Sequence, residues 1–98
     1  MFIKIHKAYR EVVAICDEDL LGKRFEDGNK MIDVKESFFK GEKIEEPELF
    51  ELMQELAKSD ATFNIVGEQS VRIALKAGII TKEGIKKIKG IPYALVLL

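Results

Sequence analysis

The chain has 98 residues, 47% hydrophobic and 34% charged, so its composition excludes a disordered segment and its length excludes two domains. A single cysteine excludes an internal disulfide, and the longest apolar run, "YALVLL", is far short of the roughly 20 residues that cross a bilayer. The net charge of −1 excludes a generally basic nucleic-acid binder, although residues 1–60 carry 10 Lys+Arg against 15 Asp+Glu and residues 61–98 carry 6 against 2.

"FIKIHK" sets Phe2, Lys4 and His6 against Ile3, Ile5 and Lys7, and "EVVAICD" follows after a break at Ala8 to Arg10. Alternation followed by a β-branched run predicts a hairpin whose second strand is internal to a sheet. Centred near Tyr9, its partners sum to about 18, which sets His6 opposite Val12 and Cys16 opposite Phe2. Leu20, Leu21 and Gly22 suggest one helical turn closed by a glycine. "KRF" and "KMIDV" flank "EDGN", a second hairpin turning at Asp27-Gly28.

"KESFFKG" fits a helical turn or an aromatic-bearing loop, with one of Phe38 and Phe39 in the core and the second at a rim where a partner can touch it. Over residues 47–58, Leu49, Leu52, Met53 and Leu56 recur at helical spacing, Pro47 suits the first position, and Glu46 and Glu48 suit the dipole. A second helix over residues 68–77 turns Val71, Ala74 and Leu75 inward and stops at Gly78. "IKKIK" and "IPYALVLL" are two closing strands separated by Gly90 and Pro92. The fold expected is a single α+β domain, residues 1–98. Its mostly antiparallel sheet combines two amino-terminal hairpins with the carboxyl-terminal strand and is covered by two helices. Ile3, Ile5, Val13, Ile15, Leu49, Met53, Leu56, Val71, Leu75, Leu95 and Leu97 are expected inside.

Candidate sites are few. Asp17, Glu18 and Asp19 suggest a hard-cation or acid–base site, but adjacent residues point apart on strand or helix alike. The better account makes Asp17 the N-cap of its own turn, with Glu18 and Asp19 facing the positive end. Cys16 and His6 are separated by the hairpin register, which disfavours a cysteine nucleophile, and zinc lacks ligands. No cofactor and no metal is expected. In "NIVGEQS", Gly67 and Glu68 open a helix whose amides could hold an anion, but no phosphate-loop lysine follows. The plainer reading has Gly67 permitting close approach and Asn64 capping. Lys82, Lys86, Lys87 and Lys89, with Tyr93 as a stacking ring and Arg72 or Lys76 in support, form either a phosphate-tracking surface or a solvated face. Lys23 lies among acids and is expected to matter less.

The lone thiol fits a reducing, cytoplasmic setting, and the Lys, Glu and Ile bias with few amides fits a thermophile. In order along the chain, "VAICDEDLLGKRFEDG", "DVKESFFKG", "NIVGE" and "IKGIP" resemble the archaeal DUF424 family, of unknown function. In that family a histidine commonly follows the "IP" or "VP" dipeptide, where this chain has Tyr93. The resemblance implies an archaeal cytoplasmic protein with an α+β fold, and a link to RNA or translation that the residues by themselves do not show. It implies no activity. Three classes compete: a non-enzymatic binding module for RNA or a translation-related protein, a carboxylate-dependent hydrolase, and a structural subunit. The hydrolase needs Asp17, Glu18 and Asp19 joined by Asp33, Glu36 or Glu68 in one cleft. The subunit would pair through the apolar last strand, as in a homodimer, or through Phe39.

Overall fold

Strand β1 (Phe2–His6) pairs antiparallel with β2 (Val12–Cys16) in the expected register, His6 opposite Val12 and Phe2 opposite Cys16. The computed structural model describes residues 1–97; Leu98, the end of the expected last strand, lies outside them. A 3-10 turn (Glu18–Leu20) leads into a ribbon of β3 (Arg24–Asp27) and β4 (Lys30–Asp33). Then come the one-turn helix α1 (Glu36–Phe39), the short strand β5 (Glu42–Lys43), α2 (Glu46–Lys58), β6 (Thr62–Val66) and α3 (Glu68–Lys76). A 3-10 turn (Lys82–Gly84), β7 (Lys86–Ile88) and β8 (Ile91–Val96) complete the chain.

The class is α+β, with a six-stranded sheet in the order β5-β1-β2-β6-β8-β7. Only the β2–β6 pair is parallel, so the sheet is mostly antiparallel. Two features differ from expectation. The second hairpin forms a two-stranded sheet of its own, because its solvated strands offer only Phe25 and Ile32 as an apolar face. The central strand β6 occupies residues for which the local pattern predicts no strand, only a helix cap at Asn64.

Strand alternation divides the core in two. Ile3, Val13, Ile15, Phe63 and Ile65 point to one face and pack under Leu49, Met53 and Leu56 of α2 and Val71, Ile73 and Ala74 of α3. Glu46, at the start of α2, ties the helices together through Arg72 (3.3 Å) and Lys76 (3.1 Å). On the opposite face Ala14, Cys16 and Val66 lie under Leu20, Val34 and Phe39, with Phe25, Ile32 and Phe38 around them. Phe39 is the core ring and Phe38 the rim ring, so the partner contact proposed for the second phenylalanine cannot fall on Phe39.

Most of the expected interior is buried, with Ile5 and Leu75 half-buried against it. Leu95 and Leu97 are the exceptions, 57% and 73% exposed. Leu95 stands opposite Asn64 in the register, on the face the helices do not cover, beyond the reach of the ribbon. The last strand is flanked by β6 and, over Ile91 to Tyr93, by β7. The β7–β8 turn holds Lys89 at φ 52° and Gly90 at φ 79°, the two positive angles of a type I′ hairpin.

Candidate functional site

Asp17 shows how local reasoning can name the right role and the wrong helix. Its carboxylate makes no bond to its own 3-10 turn. Instead it accepts from the Gln69 amide (3.0 Å), the Ser70 amide (2.8 Å) and the Ser70 hydroxyl (2.8 Å), capping α3 from more than fifty residues away. The Asp17 amide also donates to the Val66 carbonyl (3.1 Å), so the end of β2 is fastened both to the end of β6 and to the start of α3. Gly67 makes this approach possible. It sits at φ 115°, and a β-carbon there would lie 2.3 Å from the Asp17 carboxyl carbon. The anion at this helix start is therefore the protein's own. Asp17 and Ser70 are both buried, and no buried side-chain nitrogen or oxygen among the described residues lacks a partner.

The acids needed for a hydrolase do not converge. Glu18 is solvated and paired with Lys43 at 2.9 Å, whose hydrogen bond and charge hold its carboxyl below the usual range. Asp19 is exposed, Glu36 lies near Lys40, and Asp33 lies on the ribbon, whereas exposed Glu68 opens α3. Among the described residues no group of three or more His, Cys, Asp or Glu is placed to hold a metal ion. Cys16 is fully buried; desolvation, with the Asp17 charge behind it, pushes its thiol up to about 11. That environment suits a small hydrophobe and not a nucleophile.

One of several concave features among the described residues lies on the incompletely covered face. A cleft of about 250 Å³ opens between the ribbon (Met31, Ile32, Asp33), α1 (Phe38, Phe39) and the strands β6 and β8, which contribute Asn64, Val66, Tyr93 and Leu95. Asn64 is mid-strand and not a cap, on the same face as Val66, Tyr93 and Leu95 by register. Asn64, Asp33 and Tyr93 are each half-buried. None of their side chains has a hydrogen-bond or ion-pair partner among the described residues. One wall is tied to β1: Lys4 Nζ donates to the Ser37 carbonyl (2.8 Å), and His6 bonds through Nε2 to the Phe38 carbonyl (2.9 Å). The His6 ring stacks on Phe38 at 4.6 Å. These contacts satisfy carbonyls at the end of α1, a helix too short to hold itself.

The lysines divide by location. Lys7, Lys40, Lys43, Lys58 and Lys76 pair with acids. Lys23, Lys30, Lys35, Lys82, Lys86, Lys87 and Lys89 have no acid partner among the described residues, and all lie on or beside the ribbon, the 3-10 turn before β7, or β7 itself. The ribbon packs against β7, with Lys23 beside its Arg24–Asp33 pair and Lys30 at the opposite, turn end. Lys86 pairs in register with Tyr93 and shares its face, whereas Lys87 points to the other face and Lys89 sits in the turn. Arg72 and Lys76 are engaged by Glu46 and do not extend this surface.

A six-stranded sheet sealed by helices on one side and left with a small polar-edged cleft on the other is the architecture of a compact α+β module that presents a sheet face. The chain belongs to the DUF424 family, proteins of unknown function, whose model matches residues 6–98. Its fold is that of an uncharacterized conserved protein from Methanopyrus kandleri. The two share a TM-score of 0.84 and 24% sequence identity over 97% of this chain and 88% of that one. No curated protein matches. No helix among the described residues is long and apolar enough to cross a membrane.

Proposed function

We propose that this protein is a non-enzymatic module that binds single-stranded RNA, with one base in the cleft and the phosphates along the unpaired lysines. The observation that carries the reading is the adjacency of the two features. Tyr93 lines the cleft, and Lys86, opposite it in the register, opens the lysine-rich end. A cleft of about 250 Å³ is smaller than the roughly 300 to 1,000 Å³ that takes drug-sized ligands, and it fits a single ring system. Unpaired bases stack on aromatic rings and are read along their polar edges, whereas phosphate contacts supply affinity with little sequence preference.

Binding is expected to be weak, micromolar or poorer, and to fall steeply with salt. Anisotropy with a labelled single-stranded oligoribonucleotide tests this. Tyr93→Ala should weaken binding by roughly tenfold through lost stacking, and the pair Lys86→Glu with Lys89→Glu should abolish it. Arg72→Glu, whose wild-type residue serves Glu46, should leave it nearly unchanged. No retention of RNA by the wild type at low salt, or full retention by the double variant, removes the reading.

The exposure of Leu95 and Leu97 favours a second reading, a subunit that meets a further copy or a translation-related protein through the last strand. Light scattering separates the two: a monomer at high concentration argues against self-association.

A further inference from the structure

We infer that the cleft takes guanine in preference to the other bases, with Asp33 and Asn64 reading its Watson–Crick edge; the inference rests on the RNA reading above and names the base that its cleft receives. A carboxylate only accepts hydrogen bonds, and its two oxygens match a pair of parallel donors, as in its bidentate pairing with arginine. Guanine presents such a pair, N1–H beside N2–H₂. Adenine and cytosine set a ring-nitrogen lone pair next to the amino group, and uracil flanks its single N–H with carbonyls. Each of those three turns an acceptor toward the carboxylate.

Asp33 is placed for this task and for no internal one. Its cross-strand neighbour in the ribbon is Arg24, the natural ion-pair partner, yet the Arg24 guanidinium bonds to Glu26 at 2.8 Å. Asp33 is left half-buried at the cleft with both oxygens unengaged among the described residues. Asn64 supplies the complementary group. A carboxamide between the buried Phe63 and Ile65, at a strand position where an aliphatic residue would pack, can donate to O6 of a base whose N1–H and N2–H₂ meet Asp33. Phe38, backed by His6, and Tyr93 supply rings against which the base can stack.

The test uses hexaribonucleotides of uridine carrying one central guanosine, adenosine or cytidine, beside the all-uridine hexamer, followed by anisotropy at one low salt concentration. The guanosine-containing hexamer should bind roughly tenfold more tightly than the others, the discrimination a good bidentate contact confers. Asp33→Asn should erase that difference, weakening the guanosine-containing hexamer about tenfold relative to the all-uridine one. Equal wild-type affinities for all four, or an Asp33→Asn chain weakened equally toward all, overturns the guanine assignment and leaves the RNA reading standing. Failure of every hexamer to bind the wild type overturns both.

Discussion

One face of the sheet is covered by helices of 13 and 9 residues, the other by a two-stranded ribbon and a helix of 4. Under the helices the strand residues are apolar and the contacts are closed; under the ribbon the cover stops short, exposing Leu95 and leaving Asn64 and Tyr93 half-buried. The difference teaches that a sealed core and an open cleft can be built on opposite sides of the same strands. Period-two alternation lets β6 contribute Phe63 and Ile65 to the sealed core and Asn64 to the cleft without compromise between them.

The largest test of that division is Leu49→Ala. Leu49 is fully buried under the sealed face, and its truncation should cost about 2 to 5 kcal/mol by urea denaturation. Phe38→Ala, on the half-open side, should cost less than about 2 kcal/mol despite the larger side chain; equal losses would mean that the faces do not differ. Next is the fastening of β2 to the start of α3. Asp17→Ala strands two amides and a hydroxyl and should cost about 2 kcal/mol, while Ser70→Ala should cost about 1. A neutral Asp17→Ala chain would show that the cap contributes nothing.

A smaller effect lies in alkaline stability. Cys16 is raised from near 9.0 to about 11 by desolvation first and the Asp17 charge second, so the folded chain keeps a proton that the unfolded chain releases. The stabilisation from the neutral thiol is complete below the unfolded value and is lost as pH rises through the folded one. Cys16→Ala should therefore flatten the stability profile between about pH 9 and 11; matching slopes would contradict the burial. The smallest change is expected from Leu95→Ser, within about 0.5 kcal/mol of the parent. A larger loss would mean that the last strand is covered in solution.

Much of this was legible locally. The β1–β2 register follows from one turn position and alternation, and α2 and α3 follow from apolar spacing with Pro47 at the start of one and Gly78 after the other. What stayed hidden was long-range. "TFNIV" is five residues directly ahead of a helix, and nothing nearby reveals that its partners are β2 and β8. Asp17 was legible as a cap, but the amides it serves are brought to it by the parallel pairing. Leu95 and Leu97 misled because an apolar run carries no record of where its cover ends. Of the cleft, Tyr93 was legible as a stacking ring, whereas Asn64 read locally as a helix cap and Asp33 as a companion of the acids at 17–19; only the fold brings the three to one cleft.

Because β2 meets β6 in parallel, the middle of the sheet joins Val12 to Thr62, strands fifty positions apart. During synthesis the first hairpin can close within microseconds of emerging, but the inner edge of β2 waits for β6, about 3 to 10 s at ordinary ribosomal rates. For that interval a strand of sequence VVAIC offers an unpaired ladder, the kind of template on which chains aggregate. The chain made by the time β6 begins carries most of the acids: residues 1–60 hold 15 Asp+Glu against 10 Lys+Arg, and the compensating lysines come last. Nascent chains that repel one another are kept apart until the strand that completes the sheet has been made.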